Sequence, residues 1–119
     1  MTRQADIESG FIRIERLAQA RHLPEIRRAT SYRTPALKVA NVTFARMKDK
    51  DTLVLHCPHE QKVLLMEISP EIYFETDHYR GHPALLINLG AISDEELSLR
   101  LHDAWHFKAP ERLRRQLSA

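Results

Sequence analysis

The chain has 119 residues, 43% hydrophobic and 29% charged, which is enough for one globular domain with its own core. Its single cysteine, Cys57, excludes an intramolecular disulfide and therefore a disulfide-stapled secreted fold. Residues 1–10 contain no apolar signal-peptide core. The longest uncharged stretch, 81–93, is far shorter than the roughly 20 residues that span a bilayer. We therefore expect a cytoplasmic protein without a membrane anchor.

Charge is unevenly distributed along the chain, although the formal net charge is only +2. Lysine and arginine predominate before residue 58 and after residue 107, and acidic residues predominate between these positions. If the two ends meet in the fold, a basic face would lie beside an acidic one. Dispersed, solvated charge is the alternative interpretation.

The first half of the chain predicts one helix followed by a meander. Apolar residues recur at helical spacing over 4–21, which is typical of an amphipathic helix, although Gly10 weakens it. The segment 24–35 is interpreted as a connection, with a short strand at 26–30 as the alternative. Three antiparallel strands joined by tight turns are predicted next, at 36–40, 42–48 and 52–57.

Alternation along the second of these strands predicts which side chains share a face. Phe44, Arg46 and Lys48 would lie on one side, and Ala45 and Met47 on the other. An arginine on a face that also carries an aromatic residue indicates that this face is open to solvent or to a partner.

The second half predicts three helices and two strands. Pro58 suits the first position of a helix over 58–68, and strands at 72–76 and 84–89 flank a loop. The helix over 93–107 begins with a capping box. In this motif the Ser93 hydroxyl accepts from the Glu96 amide, and the Glu96 carboxylate reaches back to Ser93. A terminal helix begins at Pro110.

These elements give the order α-β-β-β-α-β-β-α-α. Runs of strands with flanking helices predict a single α+β domain over 1–119, in which the helices pack on one face of an antiparallel sheet.

Histidines offer the first candidate chemistry. His102 and His106 lie four residues apart on one side of the predicted helix, as zinc ligands often do, but no third ligand stands at a standard spacing. With Leu99 they are interpreted instead as a contact surface for the terminal helix or for another subunit. We therefore predict no metal.

Two further clusters each have a functional and a structural interpretation. His56, Cys57 and His59 could form a reactive thiol, but alternation points His56 and Cys57 to opposite faces, which favours a buried free cysteine. The loop 78–82 contains two histidines, a tyrosine and an arginine, and it suits either a functional loop or one anchored by Tyr79. Because phosphate loops, GxSxG and CxxC are absent, we predict neither catalysis nor a cofactor.

Several motifs, taken in order, resemble the MmcQ/YjbR family over roughly residues 5–117. The segments that carry the resemblance are TPALKV (34–39), FARM (44–47), TLVL (52–55), HYRGHP (78–83), DEEL (94–97), AW (104–105) and APERL (109–113). The resemblance implies a compact α+β domain of bacterial type, similar to the double-wing DNA-binding module of a phage transcription factor. It also implies that the open face of the sheet is the binding surface, with Lys38 and Arg46 matching the family's pattern.

These observations predict a non-enzymatic protein that binds double-stranded DNA by contacting its phosphates. The expected contacts are Arg33, Lys38, Arg46, Lys48, Tyr79 and Arg80. The alternative is a protein-interaction module or a homo-oligomeric adaptor. It would use either the open sheet face, with Phe44, or the outer face of the helix at 93–107.

Overall fold

The computed structural model describes residues 4–118, and it confirms the α+β class and the antiparallel sheet. The helices are α1 (Gln4–Ala20), α2 (His59–Ile68), α3 (Asp94–Lys108) and α4 (Glu111–Ser118). The strands are β1 (Ile26–Ser31), β2 (Thr34–Val39), β3 (Val42–Asp49), β4 (Thr52–His56), β5 (Tyr73–Phe74) and β6 (Ala84–Asn88). The segment interpreted as a connection therefore contains β1, the strand that we considered as the alternative. None of the helices within 4–118 is long and apolar enough to cross a membrane.

The sheet has the order β1-β2-β3-β4-β6-β5, and all of its neighbouring strands are antiparallel. Two-residue turns at Tyr32–Arg33 and Ala40–Asn41 join the first three strands, and all four of these residues have positive φ. Two successive positive φ angles are typical of type I′ turns, whose twist matches that of the flanking strands. The turns therefore fix the pairing of β1, β2 and β3.

The core lies between the four helices and one side of the sheet, which we call the helix face. This face carries Leu37, Ala45, Leu55 and Leu85, which occupy one cross-strand row. All four helices contribute to the same apolar cluster. Its buried residues include Phe11 of α1, Leu101 and Trp105 of α3 and Leu113 of α4, and the partly buried Leu65 of α2 packs against the cluster. The predicted packing of helices on one face is thus confirmed.

Gly10 permits close contact between α1 and the β3–β4 turn. A Cβ atom at this position would lie 2.8 Å from the Lys50 carbonyl oxygen and 3.0 Å from the terminal methyl of Met47. The glycine that weakens the helix in isolation therefore allows the helix to approach the sheet.

A bulge in β3 changes the predicted alternation. Leu37 pairs with Ala45 but Lys38 pairs with Thr43, which leaves Phe44 as an extra residue without a partner on β2. Phe44 is fully buried in the main core with Ala45 and Met47. The prediction that it shares a face with Arg46 is wrong, because a bulge turns two successive side chains toward the same side.

The cap of α3 follows half of the predicted pattern. The Ser93 hydroxyl accepts a hydrogen bond from the Glu96 amide at 3.1 Å, as expected. The Glu96 carboxylate accepts instead from the Tyr73 hydroxyl, a bond that joins α3 to β5. Burial and this carboxylate raise the pKa of Tyr73, so the phenol remains the donor.

Candidate nucleic-acid interface

The side of the sheet opposite the helices, which we call the open face, carries a groove of about 530 Å³. Strands β3 and β4 form its floor, the β1–β2 turn forms one wall, and the segment 75–82, here called the groove loop, forms the other. The lining residues are Tyr32, Arg46, Lys48, Val54, His56, Thr76, His78, Tyr79 and His82. Of the described residues that line the groove, none carries a carboxylate, so the site suits an anion.

Arg46 is the central cation of this groove. Its strand neighbours are Ala36 and Val54, which are small enough to leave space above the sheet. Its guanidinium carbon lies 4.9 Å from the centroid of the Tyr32 ring, and Nη2 donates to the Tyr79 hydroxyl at 2.5 Å. Among residues 4–118, no carboxylate forms an ion pair with Arg46. The guanidinium is therefore held in place by neutral groups, and its charge is not compensated.

The groove loop is attached to the body of the protein by a buried lysine. Lys62 on α2 is fully inaccessible to solvent, and its Nζ donates to the carbonyl oxygens of Tyr79 at 2.7 Å and His82 at 2.9 Å. The same ammonium pairs with a Glu75 carboxylate oxygen at 2.9 Å, and this contact lowers the pKa of Glu75. Charge-assisted bonds of this kind are stronger than neutral ones, so Lys62 orders the loop.

No sequence pattern indicated this role for Lys62. The apolar residues Val63, Leu64 and Ile68 are exposed on α2, whereas Leu65 and Met66 pack against the main core. Among the described residues of α2, Lys62 is the one that is fully buried. Only its hydrogen-bonding capacity could have suggested this role, because a lysine ammonium can donate to three acceptors at once and the carbonyl groups of a turn can accept.

Three histidines line the groove, and their surroundings differ. Burial, reinforced by the positive charges of Lys108 and Arg46, lowers the pKa of His56 to about 4. His56 is therefore neutral at pH 7. His78 and His82 are exposed, and their rings stack at 5.9 Å between centroids. The Tyr79 ring meets the His78 ring edge-on at 4.8 Å, so the loop presents a compact aromatic wall.

The structure brings three of the six predicted contact residues together. Arg46, Lys48 and Tyr79 all line the groove. Lys48 is exposed and is the extra residue of a second bulge in β3, between Met47 and Asp49. Tyr79 is buried over Val54, and its hydroxyl holds Arg46.

The other three predicted contacts lie outside the groove lining. Lys38 is half-buried on the open face, paired across the strands with Arg27 and Thr43. Arg33 is exposed in the β1–β2 turn. Arg80 is exposed, but it pairs with Asp77 at 2.8 Å and approaches Glu75 at 3.8 Å, so its charge is already matched.

The prediction missed Tyr32, His56 and Thr76 as groove residues. The position of His56 in the groove depends on the pairing of β4 with β6, the strand that follows the groove loop, and this pairing could not be predicted from the sequence. Tyr32 is 84% exposed at a turn position with φ of 52°, where a bulky aromatic side chain is uncommon. An exposed aromatic residue with positive φ indicates a functional position, but the turn type that produces it could not be predicted from the sequence.

The groove loop satisfies both interpretations that the sequence left open. Tyr79 is packed in a small apolar cluster with Val54, Ala84 and Leu86, and Gly81 adopts a φ of 79°. These are the contacts of an anchored loop. The same residues also line the groove, so anchoring and exposure to a ligand coexist.

The remaining sequence candidates lie elsewhere. Cys57 is buried in the main core, and burial raises the pKa of its thiol to about 11. His102 and His106 line a separate cavity of about 450 Å³ between α2, α3 and α4, with their ring centroids 6.4 Å apart. Leu99 is 43% exposed. Within residues 4–118, no group of three or more histidine, cysteine, aspartate or glutamate side chains is placed to hold a metal ion.

No family model matches the chain. Over 52 residues it is 36% identical to uncharacterized proteins of Mycobacterium tuberculosis (Rv2570) and Mycobacterium bovis (Mb2600). The match covers 44% of this chain and spans only 40% of the length of these curated relatives.

Among solved structures, the chain is similar to the Deinococcus radiodurans protein DR2400, which contains a DUF419 domain. The TM-score is 0.68 at 16% sequence identity, and the superposition covers 88% of this chain and 85% of that chain. At this identity the likeness concerns the fold alone. The chain therefore has the fold of a DUF419 protein, a family of the YjbR/MmcQ kind.

Proposed function

We propose that this protein binds double-stranded DNA without catalysis, contacting phosphates through the open face of the sheet. The observation that carries the proposal is the uncompensated Arg46 guanidinium, held by Tyr32 and Tyr79 in a groove lined by no carboxylate. Phosphate oxygens are natural acceptors for an arginine whose donors are fixed in direction.

Further cations extend the same surface. Lys48 lies beside Arg46 in the groove, Lys38 lies on the same face, and Arg33 flanks Tyr32 in the turn. No ion pair joins any of these three residues to a carboxylate within residues 4–118. A row of unpaired cations along a sheet is suited to successive phosphates of one strand. Arg80 would join this row by exchanging Asp77 for phosphate.

A binding role without catalysis is supported by the burial and the protonation of Cys57, the candidate nucleophile. Cys57 faces the core rather than the groove, and its raised pKa keeps the thiol protonated at neutral pH. His56, the nearest imidazole in the sequence, lies on the opposite side of β4 and lines the groove.

The test is fluorescence anisotropy of a labelled duplex along a salt series. Each phosphate contact contributes a slope of about −0.9 in log K against log salt, so the four unpaired cations predict a slope of about −3.6 and Arg80 as a fifth contact would bring it to about −4.5. The double variant Arg46→Gln/Lys48→Gln should reduce the slope by about 2.

The matched control is Arg112→Gln/Arg115→Gln, which removes the same charge from α4. These arginines pair with Glu25 and Glu111 outside the groove, so this variant should keep the slope of the wild type. Absence of binding at about 50 mM salt, where the counterion effect is strong, would overturn the proposal. An equal loss of affinity in both double variants would show that the DNA-binding site does not lie on the open face.

A second candidate function is self-association or docking of another protein. Exposed apolar side chains on two helices favour it, namely Val63, Leu64 and Ile68 on α2 and Leu99 on α3. Sedimentation velocity distinguishes this candidate, because Leu64→Lys and Leu99→Lys should convert a defined oligomer into a monomer. A wild type that sediments as a monomer at all concentrations would exclude self-association.

A further inference from the structure

Phosphate binding uses only part of the groove. Arg46 and Lys48 supply the charge, whereas Tyr32, His78, Tyr79 and His82 supply aromatic surface. A phosphate group gains nothing from aromatic rings. The remaining lining indicates that the ligand also contains a flat, partly apolar group.

Tyr32 is arranged to stack against such a group. The Arg46 guanidinium covers one side of its ring, and the residue is nevertheless 84% exposed, so the other side of the ring is open to solvent. The turn holds Tyr32 at positive φ and places it at the edge of the groove.

The opposite wall is also aromatic and is ordered before any ligand arrives. His78 and His82 are stacked with an interplanar angle of 19°, and the Lys62 ammonium fixes the backbone of the loop at the Tyr79 and His82 carbonyl groups. The groove between the two walls measures about 530 Å³. That volume lies within the range of sites that enclose small organic molecules.

We propose that the groove holds one unpaired nucleotide of a DNA strand, with its phosphate at Arg46 and Lys48 and its base against the aromatic walls. This inference rests on the proposed function and specifies the form of DNA that the site selects. In a paired duplex the π-faces of the bases are stacked on one another and cannot reach Tyr32. An unpaired base exposes its face, which is why aromatic platforms bind single strands.

The proposal predicts a preference between a fully paired duplex and a duplex of the same length and nearly equal charge that contains one unpaired nucleotide. The second should bind roughly tenfold more tightly than the first. A single strand of that length carries only half the phosphates, so its binding tests whether exposed bases outweigh the lost charge. Loss of one stacking side chain typically weakens binding by roughly fivefold to a hundredfold per base.

The experiment measures dissociation constants by anisotropy for the three DNAs with four proteins. The variant Tyr32→Asn removes the ring while suiting the positive φ of the turn, and Tyr32→Phe retains the ring. Tyr32→Asn should bring the ratio of the paired to the unpaired dissociation constant close to 1, and Tyr32→Phe should keep the ratio of the wild type. Arg46→Gln should weaken binding to all three DNAs.

The possible results separate this inference from the proposed function. If all DNAs bind equally and Tyr32→Asn changes nothing while Arg46→Gln weakens them all, the unpaired-nucleotide site is refuted and phosphate binding stands. If none binds at about 50 mM salt, the proposed function itself fails. Displacement of the strand by micromolar free deoxynucleoside monophosphate would overturn the assignment to DNA.

Discussion

The two faces of the sheet are made from alternate residues of the same strands, yet they are stabilised differently. On the helix face, Leu53, Leu55, Leu85 and Ile87 pack against the helices in one continuous apolar cluster. On the open face, the buried cluster is limited to the area beneath the groove loop, where Tyr79 covers Val54, Ala84 and Leu86.

Polar interactions take the place of apolar packing on the open face. The buried Lys62 fastens the loop there, and the Tyr79 hydroxyl orients Arg46. The comparison teaches that the main core and the proposed binding surface lie on opposite sides of one sheet. Variants of the two faces should therefore separate stability from binding.

The largest expected effect is a cavity on the helix face. Leu53→Ala should reduce the free energy of unfolding by about 3.5 kcal/mol, because Leu53 is fully buried in the main core. Its neighbour Val54 faces the other way, and Val54→Ala should cost about 1.5 kcal/mol, because its side chain is smaller and lies in the smaller cluster. Urea unfolding measures both values, and equal costs would contradict the comparison.

The second effect concerns the buried ammonium. Lys62→Met keeps the length of the side chain but removes three charge-assisted contacts, and it should reduce the free energy of unfolding by about 2.5 kcal/mol. Hydrogen exchange at the amides of Tyr79 and His82 should accelerate more than exchange in β4. The control Lys50→Met replaces an exposed lysine and should leave both measurements unchanged.

The third effect is a pH dependence carried by His56. Its pKa is about 6.5 in the unfolded chain and about 4 in the folded protein, so the unfolded state binds more protons as pH falls below 6.5. The free energy of unfolding should fall by about 1 kcal/mol between pH 7 and pH 5 after allowance for partial exposure.

His56→Gln should flatten this decline, whereas His106→Gln, which replaces an exposed histidine outside the groove, should leave it in place. Burial also lowers the pKa of His102, which contributes a decline of the same sign in every variant that keeps it. If His56→Gln has the slope of the wild type, His56 is not buried as a neutral imidazole.

The smallest effect tests the bond that orients Arg46. Tyr79→Phe removes the hydroxyl that accepts from Nη2 and should reduce the free energy of unfolding by about 0.7 kcal/mol. Tyr32→Phe is the matched control, because the Tyr32 hydroxyl makes no hydrogen bond with any residue from 4 to 118. If the free energies of unfolding of the two variants were equal, the Tyr79 hydroxyl would not hold the guanidinium.

Much of the fold could be predicted because local patterns and the final structure agree. The apolar spacing of α1 and the Ser93 cap of α3 are local features, and both were placed to within about two residues. Strand β1 was harder to predict because its charged residues Arg27 and Arg28 break the apolar alternation. It is stabilised by pairing with β2, which no local pattern records.

The site was less predictable because it depends on contacts between distant segments. Arg46 and Lys48 were found by alternation along one strand. Their relation to Tyr79 requires the groove loop to fold back over β4, and that folding depends on Lys62. A buried lysine with three acceptors leaves no periodic signal in the sequence.

The bulge at Phe44 bears on how β3 would respond to a change in chain length. Thr43 and Ala45 pair with successive residues of β2, Lys38 and Leu37, so removal of Phe44 is expected to leave both pairs in a regular register. Deletion of Phe44 would therefore leave a cavity in the core but keep Arg46 on the open face. Deletion within β4 would instead transfer its groove residues to the core side, because each lost residue reverses the alternation. At this bulge, a deletion is expected to alter the core without altering the open face.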